Sequence, residues 1–295
     1  MALNKDIAVN LWTVYGWEPD TLTIDERVFS RLARAGASGI EIGFDDERWT
    51  FDWALGMKQE LEDALQRNGL RVSGIALRHF FTHNPASQSA DVRGRALRAM
   101  RDGFRVAREF GVETVIVVPG SQERRVSYEA TYDAAVQTLM QAARYAESDG
   151  VTITVENVPI GFLQSPREFR ALLDDVGSPA VKACLDLGNA LADKQPFPEN
   201  WVLELGNRIG LVHAKDHGRG PGGGTRTCGD GDVPWSECLQ TLQEVGYRGR
   251  LVVETPPNEG TNVAFEDGLS AAERSVRFLA EILERTPAIE RTTQL

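Results

Sequence analysis

The sequence has few cysteines and histidines and lacks a nucleotide-binding glycine motif. Its 295 residues include 3 cysteines and 4 histidines. The cysteines have no CxxC spacing and cannot all pair, which argues against a disulfide framework and a thiolate zinc site. No GxGxxG follows the first predicted strand, so a dinucleotide-binding fold loses its usual signature.

The chain also lacks long apolar runs and an excess of basic residues. No apolar run reaches 18 residues, so we expect no membrane partner. The N-terminus MALNKDIAVN has no basic region followed by an apolar core, and we expect a cytoplasmic protein. A formal net charge of −11 repels phosphate backbones and argues against a nucleic-acid partner, although a small anionic substrate remains compatible with it.

Short β-branched segments alternate with longer amphipathic segments along the chain. Alternation of this kind predicts a parallel sheet, and its eight repeats fit a closed barrel. We predict an α/β protein with a single (β/α)₈ TIM barrel over residues 1–285 and a polar C-terminal extension over 286–295. The predicted strands are 7–11, 39–42, 72–77, 114–118, 152–155, 181–185, 210–214 and 251–253. The predicted helices are 26–35, 57–68, 92–110, 128–148, 166–176, 200–205, 235–245 and 271–284.

The last four predicted strands each end in an acidic residue or carry a histidine. Alternation along a strand places Glu156, Asp186, His213 and Glu254 on the lumen side, at the barrel end that carries catalytic groups. Three carboxylates in a dry cavity repel one another, and a divalent cation is the simplest way to neutralise them. The alternative is that these acids pair with Arg or Lys at the rim and that His213 is an ordinary core residue.

The ligand set of one imidazole and three carboxylates favours a hard cation. We expect one Mn²⁺ ion, with Mg²⁺, Co²⁺ and Zn²⁺ as alternatives. Four protein ligands leave about two octahedral positions for water or substrate oxygens.

Taken together, these strand ends resemble the sugar phosphate isomerase/epimerase family of xylose isomerase-like barrels. That family includes ketose 3-epimerases, hydroxypyruvate isomerases and inosose dehydratases. The resemblance covers about residues 7–285. The motifs that carry it are Glu156-Asn157, Asp186-Leu-Gly-Asn189, His213-Ala-Lys-Asp216, Gly229-Asp-Gly-Asp-Val-Pro-Trp235 and Val-Val-Glu254.

The resemblance implies that the four residues bind one metal and that Glu156 and Glu254 act as acid and base on opposite faces of a sugar. It also implies that Arg219 contacts substrate. Asn189 stands where the ketose epimerases usually carry histidine, a departure that argues against epimerisation of a free ketohexose. We count Asn189, Lys215 and Asp216 among the expected substrate contacts.

Aromatic residues are frequent in the first three predicted loops after strands. They suit the apolar faces of a small sugar-like substrate, and we expect Trp12 and His79 to contact it. Alternatively, the aromatics cap the barrel or form the interface of a homo-oligomer. The set is Trp12, Tyr15, Trp17, Phe44, Trp49, Phe51, Trp53, His79, Phe80 and Phe81.

The residues favour a metal-dependent isomerase or epimerase that moves a proton on a keto-sugar or related polyol. A lyase on the same scaffold, such as a dehydratase of an inosose or keto-sugar or an enzyme that eliminates an aglycone from a 3-keto-glycoside, is the main alternative. A DNA-repair endonuclease would need more histidine ligands and a basic groove. A non-catalytic barrel would be expected to lack one of the ligands or acids.

Overall fold

The computed structural model describes residues 3–16, 24–47, 49–192, 197–220, 223–255 and 265–287. Eight parallel strands close into a barrel in the order β1-β10-β7-β6-β5-β4-β3-β2, so the predicted TIM barrel is confirmed. Two further strands, β8 and β9, form a small antiparallel pair. Within these residues the strands are β1 Ile7–Asn10, β2 Gly39–Phe44, β3 Arg71–Leu77, β4 Thr114–Val117, β5 Thr152–Glu156, β6 Val181–Asp186, β7 Ile209–Ala214, β8 Asp216–Gly218, β9 Gly224–Arg226 and β10 Leu251–Val253.

Helices follow the strands and cover the outside of the barrel. They are α1 Trp12–Tyr15, α2 Glu26–Ala35, α3 Phe51–Gly56, α4 Lys58–Arg67, α5 Ala90–Glu109, α6 Tyr128–Asp149, α7 Pro166–Val176, α8 Leu187–Ala192, α9 Pro198–Leu205, α10 Trp235–Glu244 and α11 Phe265–Arg285, with 3₁₀ turns at His79–Phe81 and Gly206–Arg208. No helix of the part that the structure describes is long and apolar enough to cross a membrane.

Local signals place the helix ends close to where the sequence predicts them. The Ser165 hydroxyl accepts a hydrogen bond from the Glu168 backbone N–H at 3.3 Å and so caps α7, which has Pro166 in its first turn. Gly150 ends α6 in the left-handed conformation with φ 68°, which an L side chain rarely adopts. These capping and helix-ending signals depend only on neighbouring residues, and the folded structure retains them.

Several short elements differ from the sequence prediction. Helices α1, α3 and α8 lie in segments predicted as loops, and α11 begins at Phe265 where the sequence predicts 271. Strands β8 and β9 form a small antiparallel hairpin that is absent from the sequence prediction. Helices of four to six residues span fewer than two turns, which is too short for a helical period to show in the sequence. The predicted extension lies outside the described residues from 288 onward, and its role stays a prediction.

The buried side chains form two separate layers. A large outer core lies between the strands and the helices, and a smaller cluster fills the barrel lumen. The lumen cluster contains Ala8, Trp12, Ala76, Ile116, Cys184, Leu211 and Val252. Because side chains alternate along a strand, the residues two positions further along also face inward. These residues lie at the barrel mouth, where the polar groups of the site begin.

Trp12 reaches the lumen because Gly43 has no side chain. A Cβ built on Gly43 would lie 1.9 Å from the Trp12 indole, so the ring lies directly against the backbone of β2. Gly56, at the end of α3, has no atom within 4 Å of a Cβ built on it. Gly43 and Gly56 therefore offer a test position and a control position for the same substitution.

We expect Gly43→Ala to lower the free energy of unfolding by at least about 1–3 kcal/mol, because overpacking displaces the indole. Gly56→Ala should change it by less than about 1 kcal/mol, in the stabilising direction. Urea denaturation of both variants measures this. Equal stability of the two variants would show that the Trp12 contact is not tight.

Candidate metal centre and active site

Four polar side chains converge at the carboxyl-terminal mouth of the barrel. Glu156 and Asp186 end β5 and β6, His213 is the penultimate residue of β7, and Glu254 follows β10. One potential ligand atom from each lies within 4.8 Å of every other. The structure thus brings together the four side chains that the sequence predicts as a cluster.

The imidazole of His213 lies at the centre of this cluster. Its Nδ1 is 3.5 Å from Glu254 Oε2 and 3.7 Å from Glu156 Oε1. Both glutamates therefore turn toward one nitrogen, although their strands are separated by β6 and β7 around the barrel. This convergence suits two ligands of one ion.

Lys215, two residues after His213, supplies a second positive charge. Its Nζ lies 2.8 Å from Asp186 Oδ2 and 2.7 Å from Glu254 Oε2, and the side chain is buried. Gly188 makes room for it, because a Cβ there would lie 2.8 Å from the Lys215 Cγ. Lys215 therefore offsets part of the negative charge of the centre. A ligand bound there would lie within reach of its ammonium group.

Asn189 connects the same groups. Its Nδ2 donates to Glu156 Oε1 at 3.2 Å, and its Oδ1 accepts from Lys215 Nζ at 3.3 Å. Its backbone N–H donates to Asp186 Oδ1 at 2.8 Å at the start of α8. The amide is thus held against the two charged groups in one orientation.

Burial and crowding shift the pKa values of these groups in opposite directions. Burial raises the pKa of both Glu156 and Asp186, and repulsion from Glu254 adds to the effect. Burial alone would also raise the pKa of Glu254, but Lys215 and His213 outweigh it and hold that pKa well below its usual range. Burial would lower the pKa of His213 and Lys215, but the surrounding acidic groups raise both.

The donor set fits a divalent cation. In the described residues, Asp186 Oδ2, Glu254 Oε2 and both His213 ring nitrogens are buried and make no hydrogen bond, although Lys215 pairs with the two oxygens and carboxylates lie close to both nitrogens. Buried polar atoms normally have such partners. One imidazole and three carboxylates would supply the ligands of a hard six-coordinate ion.

Two asparagines and a glutamate without a predicted role support the cluster. Asn157 Oδ1 accepts from the Asp186 backbone N–H at 2.7 Å, and its Nδ2 donates to the Asp186 carbonyl at 3.0 Å. Asn10 Nδ2 donates at 2.7 Å to Glu41 Oε1, which lies 3.1 Å from His213 Nε2. A charged residue inside the buried strand GIEIGF is the signal that could have revealed Glu41.

Asp216, a predicted substrate contact, turns its carboxylate into the segment that follows β7. Its carboxylate is fully buried and accepts hydrogen bonds from the backbone N–H groups of His217, Gly229 and Val233 and from the Trp235 indole. All four donors belong to the segment after β7. Asp216 therefore holds the β8–β9 hairpin and the following loop in place, and a substrate contact for it stays a prediction.

Two further predicted substrate contacts, Arg219 and His79, lie beside acidic residues of their own loops. Arg219 is exposed near the tip of the β8–β9 hairpin, where its backbone N–H donates to Asp232 Oδ2 at 2.6 Å. His79 is buried and stacks on Phe51 with ring centroids 5.0 Å apart, and its Nε2 is 3.7 Å from Asp46 Oδ1. Burial lowers the pKa of His79. A substrate contact for Arg219 or His79 stays a prediction.

The aromatic rim packs largely on itself. Trp49 contacts Tyr15 and Trp53 edge to face, with ring centroids 5.7 and 5.6 Å apart. Phe44 packs on Phe51 at 5.1 Å. Trp17 lies outside the described residues. These contacts support the capping alternative for this part of the rim, whereas Trp12 lies in the lumen.

Comparison with known proteins agrees with this architecture. Residues 29–282 match the family model described as xylose isomerase-like TIM barrel. A provisionally assigned L-ribulose-5-phosphate 3-epimerase of Escherichia coli (strain K12) is 27% identical over 235 residues, covering 76% of this chain and 82% of that protein. An L-ribulose-5-phosphate 3-epimerase of Escherichia coli (strain SE11) is 24% identical over 231 residues, covering 76% and 80%.

Solved structures show the same fold. The crystal structure of D-psicose 3-epimerase with D-tagatose from Clostridium cellulolyticum H10 superposes with a TM-score of 0.75 at 16% identity, covering 96% of this chain and 100% of that one.

We expect Asp216→Asn to lower the free energy of unfolding by about 3 kcal/mol, because the amide leaves buried N–H donors without an acceptor. Hydrogen exchange should speed up across the hairpin and the following loop. Asp232→Asn, an exposed change on the same loop, is the control and should change stability far less. Similar exchange in both variants would contradict the anchoring role.

Proposed function

Because the chain belongs to the xylose isomerase-like TIM-barrel family, we propose that it is a metal-dependent isomerase or epimerase that acts by proton transfer on a keto-sugar. The observation that carries this proposal is the convergence of Glu156, Asp186, His213 and Glu254 within 4.8 Å. The sugar 3-epimerase relatives support the substrate class. We propose Mn²⁺ as the ion, since carboxylate oxygens dominate the ligand set.

A bound divalent cation would polarise the substrate carbonyl and offset the negative charge that develops on its oxygen. The protein's own residues would perform the proton transfer. Glu156 and Glu254 reach the centre from strands on different sides of β6 and β7, which supports a role in which each would address one face of a bound substrate. One carboxylate removes the proton next to the carbonyl, and the other returns a proton to the opposite face.

Lys215 and Asn189 would orient the substrate oxygens and the acid-base pair. The Lys215 ammonium can donate to a substrate oxygen as well as to Asp186 and Glu254. Asn189 restrains the Glu156 carboxylate through its amide. The lumen cluster below them is apolar and excludes water from the floor of the site.

The first step, removal of the proton next to the carbonyl, is shared with a lyase. Return of the proton gives an epimer or an isomer, whereas loss of a β-substituent gives an elimination product. Assays with ketopentoses, ketohexoses, their phosphates and a keto-inositol, followed by chromatography and ultraviolet absorbance, separate these outcomes.

Metal removal tests the centre itself. We expect Mn²⁺ at 100 times its Kd to stabilise the protein by about 2.7 kcal/mol. His213→Ala should lose most of this stabilisation, because one of the ligands is gone. EDTA should abolish activity, and Mn²⁺ should restore it. Full activity after verified metal removal would overturn the proposed metal dependence.

Replacement of either glutamate tests proton transfer. Glu156→Gln and Glu254→Gln keep a metal-binding oxygen but remove the base, so we expect turnover to fall by at least about 100-fold. Metal affinity should fall less than in His213→Ala. In deuterated water, the wild type should place deuterium on the carbon next to the carbonyl. Near-normal turnover of both variants, or no deuterium at that carbon, would favour a hydride shift instead.

A further inference from the structure

Glu41 is a carboxylate buried in the barrel lumen outside the predicted ligand set. It lies in β2, is fully buried, and faces the lumen in the same direction as Gly43. A Cβ on Gly74 in the neighbouring β3 would lie 2.7 Å from Glu41 Oε2, so the absence of a side chain at Gly74 leaves room for the carboxylate. Burying a charge is costly unless it has a partner.

The partner of Glu41 lies across the lumen. Glu41 Oε1 is 3.1 Å from His213 Nε2 and accepts a hydrogen bond from Asn10 Nδ2 at 2.7 Å. Asn10 Oδ1 in turn accepts from the Trp12 backbone N–H at 2.9 Å, at the start of α1. A chain of polar contacts therefore runs from the first loop through Glu41 to the imidazole.

The two ring nitrogens of His213 face different groups. Nε2 faces Glu41, whereas Nδ1 faces Glu156 and Glu254, the other members of the proposed centre. A neutral imidazole that binds a metal through one nitrogen carries its proton on the other, and a carboxylate at that second nitrogen determines which tautomer forms. Among the described residues, the group whose ligand atoms lie within 4.8 Å of one another does not include Glu41.

We propose that Glu41 is a positioning residue that holds the His213 proton on Nε2, presents Nδ1 to the metal, and is itself held by Asn10. This inference rests on the proposed metal-dependent function. Glu41 would act only through His213, whereas Glu156 and Glu254 would touch both the ion and the reacting atoms.

Three variants of Glu41 distinguish the effect of the length of its side chain from the effect of its charge. Glu41→Met removes the oxygens at similar length, and Glu41→Asp keeps the charge but withdraws it from Nε2. Glu41→Gln keeps an oxygen at the same distance. Ser73→Ala is the matched control, because Ser73 is a buried polar residue on β3 that donates to the Ile40 carbonyl at 2.8 Å.

Titration calorimetry with Mn²⁺ measures the first effect. We expect Glu41→Met and Glu41→Asp to weaken Mn²⁺ binding by about 10–100-fold, the usual scale for loss of a group that orients a ligand. Glu41→Gln should retain most of the affinity, and Ser73→Ala should bind like the wild type. If Glu41→Met does not fold, the Asp variant still decides the question.

Electron spin echo spectra of the Mn²⁺-loaded proteins measure the second effect, the coupling of the imidazole nitrogen to the ion. The coupling should weaken in Glu41→Met and Glu41→Asp and persist in Glu41→Gln. Wild-type affinity and coupling in Glu41→Met or Glu41→Asp would overturn the proposal. Lower affinity with unchanged coupling would also overturn it, because Glu41 would then act as a ligand. Failure of the wild type to bind Mn²⁺ would instead overturn the proposed function.

Discussion

Electrostatic repulsion among buried carboxylates is the constraint around which the mouth of this barrel is organised. Glu41, Glu156, Asp186 and Glu254 share one lumen in which their solvation by water is largely lost. Lys215 pairs with two of these carboxylates, and the acidic groups around His213 raise the pKa of its imidazole against the effect of burial. A divalent cation would allow His213 to bind as a neutral ligand. The same crowding that makes the carboxylates repel one another would therefore favour metal binding.

A second group of side chains keeps this crowded arrangement in one geometry. Asn157 pairs with the backbone of Asp186, and Asn10 holds Glu41. Asp216 gathers four donors from the segment after β7. The polar groups of each of these residues hold another part of the site in position. Rigid support of this kind matters, because both metal binding and proton transfer depend on the orientation of a few oxygens and nitrogens.

The fold itself says little about which substrate this barrel would take, because barrels of this kind host many reactions. What distinguishes this chain lies at the mouth. Asn189 bridges Glu156 and Lys215, and the Trp12 indole lies against Gly43 in the lumen. Much of the aromatic rim is occupied with its own packing. Specificity would therefore depend on the inner polar residues and the β8–β9 hairpin more than on a broad aromatic platform.

The sequence alone determined the barrel, most strand and helix ends, and the cluster of Glu156, Asp186, His213 and Glu254. These features follow from local rules, since the alternation along a strand and the position of its end can be read from the pattern of neighbouring residues. Only the tertiary structure decided that Glu41 meets His213 and that the Asp216 carboxylate turns into its own loop. The first contact needs barrel closure, which brings the inward faces of β2 and β7 together. The second needs a loop to fold back on the strand before it. Neither distance is encoded in local periodicity, because each joins residues whose proximity is set by the whole fold.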